Sequence, residues 1–137
     1  MIILERSTGI PSAYRKMICF QAARNGYDNL VIKMLDTGLD VNGINSDAST
    51  PLAGAAEGGH CSTVGLLLDR GAMVRKFCKD AFVCAAGAGQ IEVLEMMLRR
   101  GIDMKADERM FRAFVAAVEG GSSIGAQFLL DNGLDIR

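Results

Sequence analysis

The sequence predicts an all-α fold, a solenoid of about four similar helix-turn-helix units. One observation is internal repetition, because the stretch from Thr50 to Val74 recurs in the segments 17–41, 80–104 and 112–136. A second observation is even spacing: the glycines that close the four copies are 33, 30 and 32 residues apart, at Gly38, Gly71, Gly101 and Gly133. Apolar residues within each copy are three or four positions apart, which indicates helices with one buried face.

The first helix of each unit combines one large apolar residue with two small ones. In the second copy these are Leu52, Ala55 and Ala56. The other copies have Cys19, Ala22 and Ala23; Phe82, Ala85 and Ala86; and Phe114, Ala117 and Val118. Small side chains allow neighbouring helices to approach closely. A glycine then ends each helix, where a left-handed residue is favoured, at Gly26, Gly59, Gly89 and Gly121.

The second helix of each unit supplies the bulky apolar side chains. They are Val31, Met34 and Leu35; Val64, Leu67 and Leu68; Leu94, Met97 and Leu98; and Ala126, Leu129 and Leu130. Two such short helices cannot bury these faces alone, so the units are expected to stack. Thr50 followed by Pro51 marks a helix start, and Asp80 is expected to cap the equivalent helix one unit later.

The second copy, TPLAGAAEGGH followed by LLLDRGA, resembles an ankyrin repeat, whose first helix carries the signature T-P-L-H-x-A. The resemblance covers residues 12–137 as repeats of approximately 12–44, 45–76, 77–107 and 108–137, after a partial or irregular N-terminal cap at 1–11. It implies short hairpin-like fingers between units. It also implies a non-catalytic module that binds another protein through its fingers and the concave surface of its first helices.

Two departures from the family pattern bear on this expectation. Ala53 stands where the family has histidine, so the hydrogen bonds which that histidine makes between neighbouring loops must be absent or replaced. His60, the single histidine, opens a second helix, and a local structural role is expected for it. The finger between the second and third units is short, and it should therefore project less than the first.

Composition limits the remaining classes of function. The formal net charge of −1 disfavours nucleic acid as a partner, and no apolar run reaches the length of about 18 residues that a membrane-spanning helix needs. The four cysteines have irregular spacing, so neither a metal site nor a disulfide framework is predicted. No catalytic motif is present, no cofactor is expected, and the expected compartment is the cytoplasm or the nucleus.

The main candidate binding residues are Arg75, Lys76, Phe77 and Lys79, in a stretch without an acidic residue between Asp69 and Asp80. Cations around an aromatic ring favour docking of an acidic segment. In the alternative interpretation, Phe77 covers the core beneath a shortened loop and the lysines are solvated. Further candidates are Asn42, Asn45 and Asp47 in the first finger, and Arg24 and Glu57 on the first helices.

The first-helix surface otherwise offers small residues, among them Gly54 and Gly87, so this strip alone predicts weak binding. Neither end of the sequence has clearly polar capping residues, which favours a longer array or larger protein and would allow self-association through uncapped ends. In another interpretation, irregular end residues cap the stack adequately. An alternative function is that of a structural spacer or an intramolecular regulatory segment of a multidomain protein.

Overall fold

A computed structural model of the chain describes residues 9–76, 79–135 and 137. These residues form four pairs of α-helices. The first helices of the pairs are α1 (Ser12–Arg24), α3 (Pro51–Gly58), α5 (Ala81–Gly87) and α7 (Arg109–Glu119). The second helices are α2 (Asp28–Asp36), α4 (Cys61–Asp69), α6 (Ile91–Arg99) and α8 (Ser123–Asp131). Most of the predicted N-terminal cap, 1–11, lies outside the described residues.

The helix pairs stack in sequence order. Helix α1 packs against α3, α3 against α5 and α5 against α7, which makes one layer of first helices. The second helices form the other layer, because each contacts the first helix of its own unit and α4 contacts both α2 and α6. The predicted all-α solenoid is confirmed.

The core lies between the two layers of helices and follows the predicted division into large and small side chains. The largest fully buried apolar side chains include Leu52, Phe82, Leu67, Met97 and Leu129. The paired alanines of α3 and α5, at Ala55, Ala56, Ala85 and Ala86, have no exposed surface. Each is covered because the next unit approaches closely, as the small side chains predict.

The predicted helix starts are confirmed in the second and third units. The Thr50 hydroxyl accepts a hydrogen bond from the Ala53 amide at 3.2 Å, and Pro51 is the first residue of α3. The Asp80 carboxylate accepts from the amides of Phe82 and Val83 at 3.0 and 3.3 Å. Each cap satisfies amides that the first helical turn leaves without a partner.

The fourth unit starts differently. Its first helix, α7, begins three residues before Arg112, which aligns with the capping residues Thr50 and Asp80. A short 3-10 helix, Ala106–Glu108, precedes α7, and Asp107 and Glu108 have left-handed backbones with φ of 53° and 56°. This lead-in replaces a hairpin finger between the third and fourth units.

The fingers differ in structure. In the second finger, β1 (Arg75–Lys76) pairs in antiparallel fashion with β2 (Lys79–Asp80), with Arg75 opposite Asp80 and Lys76 opposite Lys79. In the first finger, the described residues form no strand, and the Asn45 carbonyl accepts from the Ala48 amide at 3.0 Å to close a turn. The second finger is therefore short, and within the described residues it is the one built as a β-hairpin.

The glycines that end the first helices of the first three units, Gly26, Gly59 and Gly89, are each covered by a side chain from the next unit. A Cβ added at Gly26 would lie 2.6 Å from the His60 ring, and one at Gly59 would lie 2.5 Å from the Gln90 amide oxygen. Gln90 also donates a hydrogen bond to the Glu57 carbonyl at 2.9 Å. His60 and Gln90 thus pack across the boundaries between units, in agreement with the structural role expected for His60.

Two glycine-to-alanine substitutions test whether the contact between Gly59 and Gln90 contributes to stability. Gly59→Ala is expected to destabilise the chain by about 2–3 kcal/mol, since it combines left-handed strain of about 1–2 kcal/mol with loss of the Gln90 contact. Gly71→Ala is the matched control, because its φ is +88° but no atom lies within 4 Å of the added Cβ. Urea unfolding should place Gly59→Ala below Gly71→Ala in stability. Equal losses would show that the contact with Gln90 contributes nothing.

Candidate functional site

Arg24 and Glu57, which were predicted on the first-helix surface, lie together across the boundary between the first two units. The Arg24 Nη2 atom is 3.3 Å from Glu57 Oε1, and the side chains are 50% and 43% exposed. An ion pair this exposed contributes about 0–1 kcal/mol to stability. Both side chains are accessible to a partner that exchanges one ion pair for another.

The predicted strip of small residues needs one correction. Gly54 was expected on the first-helix surface, but it is buried, and a Cβ at this position would lie 3.0 Å from the Phe20 ring. The large ring at position 20 reaches over the next helix, so glycine is needed beneath it. Cys84 and Gly87 are half-buried on the neighbouring helix.

In the first finger, two of the three candidate side chains make structural hydrogen bonds: Asn42 joins the finger to the next loop, and Asn45 closes the finger itself. The Asn42 amide accepts a hydrogen bond from the Met73 backbone at 2.7 Å and donates one to the Gly71 carbonyl at 3.2 Å. The Asn45 side-chain oxygen accepts from the amides of Asp47 and Ser49 at 2.9 and 3.0 Å. The Asp47 side chain is exposed.

A groove lies between the first finger and α1. Its volume is about 670 Å³, and its walls include Lys16, Met17, Ile44 and Asp47. Met17 is 53% exposed, so the groove presents an apolar side chain between charged ones of both signs. This arrangement suits an extended peptide that carries an apolar residue.

The basic side chains of the second finger lie in its two paired strands. Arg75 Nη1 is 3.3 Å from Asp107 Oδ2, which ties the second finger to the lead-in of the fourth unit. Lys76 and Lys79 lie opposite one another in the hairpin. Two cations on adjacent strands concentrate positive charge on this finger, which favours an anionic partner. Phe77, the fourth residue of the predicted cluster, lies outside the described residues.

The structure also reveals a buried ion cluster that the sequence interpretation missed. The Asp80 Oδ2 atom accepts from Arg109 Nε at 2.9 Å and from Arg112 Nη2 at 3.0 Å. Only 1% of the Asp80 side chain and 7% of the Arg109 side chain are exposed, and Arg109 also donates to the Asp103 carbonyl. The sequence did contain an indication of this difference. Arg112 aligns with the helix-capping residues Thr50 and Asp80, but a guanidinium cannot accept hydrogen bonds from backbone amides.

Comparison with known proteins gives the family. A family model described as ankyrin repeats, in three copies, matches residues 19–108, which is more than half of the chain. The chain belongs to the ankyrin repeat family. It is 27% identical over 120 residues to the "Ankyrin repeat and KH domain-containing protein mask-1" of Caenorhabditis elegans, with 85% of this chain and 4% of that protein covered. The chain thus spans a small part of that relative.

Ankyrin repeats generally mediate protein–protein interaction and are known as non-catalytic modules. At the position of the family's signature histidine, Ala53 is 2% exposed. The side chain of Asn42 instead joins successive loops of this ankyrin array, through its bonds to Gly71 and Met73. The departure at Ala53 is therefore accompanied by a different link between the first two units.

The described thiols of this ankyrin array are free, and burial makes them poor nucleophiles. Burial raises the pKa of Cys19 to about 11, and it is the main cause of the raised pKa of Cys61 and Cys84. The reactive thiolate is therefore scarce at neutral pH. Cys78 lies outside the described residues.

Two further properties concern the described ranges 9–76, 79–135 and 137. No cluster of histidine, cysteine, aspartate and glutamate side chains there could hold a metal ion. None of the helices in these ranges has the length and apolar character needed to cross a membrane.

Proposed function

We propose that this ankyrin array is a non-catalytic protein-binding module whose second finger docks an acidic segment of its partner. The observation that carries the proposal is the hairpin itself, which holds Arg75, Lys76 and Lys79 within two paired two-residue strands. A partner carboxylate near Lys76 and Lys79 would be attracted by both side chains. Phe77, which follows Lys76 in the sequence, is the proposed apolar contact.

The basic finger is continuous with the first-helix surface. Lys79 is close enough to α5 for its charge to lower the pKa of Cys84, although burial has the larger, opposite effect on that thiol. Glu57 on α3 raises the pKa of Cys84, so Lys79 and Glu57 both lie near this half-buried position. A peptide that starts at the finger would therefore reach the Arg24–Glu57 pair along the first helices. The exposed carboxylates of Asp47 and Glu57 would repel a partner that is acidic along this whole path.

A binding measurement tests the charge requirement directly. The probe is a fluorescein-labelled twelve-residue peptide of alternating glutamate and leucine, followed by fluorescence anisotropy. The double variant Lys76→Glu with Lys79→Glu should weaken its binding by about tenfold or more, which corresponds to about 1.4 kcal/mol. Raising the salt concentration should weaken binding to the unmodified chain.

The matched control reverses two cations on the second-helix layer, Lys33→Glu with Arg99→Glu, which are exposed residues of α2 and α6. It makes the same change in net charge, so it should leave most of the peptide affinity intact. An equal loss of peptide affinity in both double variants would mean that the change in net charge alone causes the loss. This result would contradict docking at the second finger.

A second proposed role is that of a spacer or an intramolecular regulatory segment within a longer array or larger protein. The supporting observation is that the multidomain relative from Caenorhabditis elegans is matched over 4% of its length. In this role the second finger does not bind an acidic segment of a separate protein, and the labelled peptide should bind the unmodified chain and both double variants equally weakly. We propose the cytoplasm or nucleus as the compartment for either role, since free thiols at Cys19, Cys61 and Cys84 suit a reducing environment.

A further inference from the structure

The outer face of the last unit exposes apolar side chains at positions that are buried or half-buried in every earlier unit. Val118 aligns with Ala23, Ala56 and Ala86, each of which has no exposed surface, yet Val118 is 58% exposed. Val115 is 52% exposed, whereas the aligned Phe20 and Ala53 are 8% and 2% exposed and the aligned Val83 is half-buried. We call Val115, Val118, Gly121 and Asp131 the last-unit face.

The glycine on this face has an open slot. Gly121 has the same left-handed backbone as Gly26, Gly59 and Gly89, with φ of 75°. The three earlier glycines are covered by His60, Gln90 and Ser122 from the following unit, whereas no described atom lies within 4 Å of a Cβ placed at Gly121. The slot therefore has the geometry that receives a polar side chain from the start of another second helix.

Asp131, at the edge of the last-unit face, aligns with two acidic residues that form ion pairs between earlier units. Asp36 and Asp69, at the ends of α2 and α4, pair with Arg70 and Arg100 of the following units at 3.0 and 2.9 Å. Asp131 ends α8 in the same position, and its described hydrogen bond is from Gln127 of its own helix at 2.8 Å. By continuity with these two interfaces, Asp131 is placed to meet a cation from outside the unit.

We propose that the last-unit face binds a further helix-turn-helix unit of this repeat type. Its second helix would open with a polar side chain over Gly121, and it would end near an arginine or lysine that pairs with Asp131. Val118 is larger than the alanines with which it aligns, so the residue facing it must be small. Gly125 supplies such a contact one interface earlier, where an added Cβ would lie 2.7 Å from the Ala86 carbonyl oxygen.

Charge disfavours a second copy of the chain docked through this same face. Such a contact would bring Glu119 and Asp131 of both copies together around the exposed valines, and like charges at an interface oppose association. The partner that fits must therefore carry basic residues opposite Glu119 and Asp131, and a second copy of the same face would place acidic residues there instead.

A fusion tests whether this face accepts another unit. A second copy of residues 43–76 is joined after Arg137, with Thr63→Gly in the added copy so that a glycine faces Val118. Because each stacked unit is stabilised by its neighbour, the thermal midpoint of the whole fusion should exceed that of the parent chain by at least about 5 °C. The variant Val118→Glu should remove this gain in the fusion but change the parent chain little, since Val118 is exposed there.

Met17→Glu is the matched control, because Met17 is 53% exposed near the other end of the stack and should affect the parent and the fusion alike. The proposal is overturned if the added unit melts separately without raising the midpoint, or if Val118→Glu lowers both proteins equally. It is also overturned if sedimentation shows the parent chain to be a dimer that Val118→Glu converts to monomer, since a second copy would then occupy the face. None of these outcomes depends on peptide binding at the second finger.

Discussion

Replacing Asp80 with alanine is expected to lower the free energy of unfolding by about 3–5 kcal/mol. The carboxylate accepts hydrogen bonds from Arg109 and Arg112, and Arg109 is almost fully buried. Without Asp80, the Arg109 guanidinium would remain in the interior without its carboxylate partner. The same substitution removes the cap from α5, which in other helices is worth about 1 kcal/mol. Small domains have a total stability of about 5–15 kcal/mol, so this substitution would remove a large part of the free energy of unfolding.

The matched control for Asp80→Ala is Asp69→Ala. Asp69 also pairs with an arginine of the next unit, Arg100, at 2.9 Å, but its side chain is 68% exposed. Its removal should change stability by about 0–1 kcal/mol. Urea unfolding followed by circular dichroism measures both variants. Similar losses for the two would mean that burial of the Asp80 cluster does not determine its contribution.

Phe82→Ala is expected to destabilise the chain by about 3–5 kcal/mol. The Phe82 side chain has no exposed surface and is the largest of the fully buried side chains. It belongs to α5, which packs against both α3 and α7, so the vacated volume would lie in the middle of the stack. Collapse around the cavity is restricted because the neighbouring alanines already allow the helices to approach closely.

Phe111→Ala provides the matched control, since it deletes the same atoms from a side chain that is 58% exposed. A change within about 0.5 kcal/mol is expected there. Thermal and urea unfolding of the two variants should differ clearly. A large loss for Phe111→Ala, or a small one for Phe82→Ala, would contradict the assignment of the core to the middle of the stack.

The features that sequence predicted well are those set by local pattern. The period of the glycines and the spacing of Leu52, Ala55 and Ala56 determine which helix face is buried, and the structure buries it. Thr50 and Asp80 cap their helices because a short acceptor side chain next to the first turn needs no tertiary contact to do so.

The features that were missed depend on contacts between units. Arg109 becomes a buried partner of Asp80 because α7 starts earlier than its aligned counterparts, which the repeat alignment does not reveal. Gly54 is buried because the Phe20 ring of the preceding unit lies over it. In the candidate site, the residue types of the second finger were identifiable from sequence, but the pairing of Arg75 with Asp107 joins two loops far apart in the chain.

The base of the second finger is fastened on both of its strands. Arg75 of β1 is joined to Asp107, and Asp80 of β2 is joined to Arg109 and Arg112. Strands that are already held in place lose little conformational entropy when a ligand binds to them. Under the proposed function, the charged side chains of these strands would therefore contribute to affinity without first having to order the backbone that carries them.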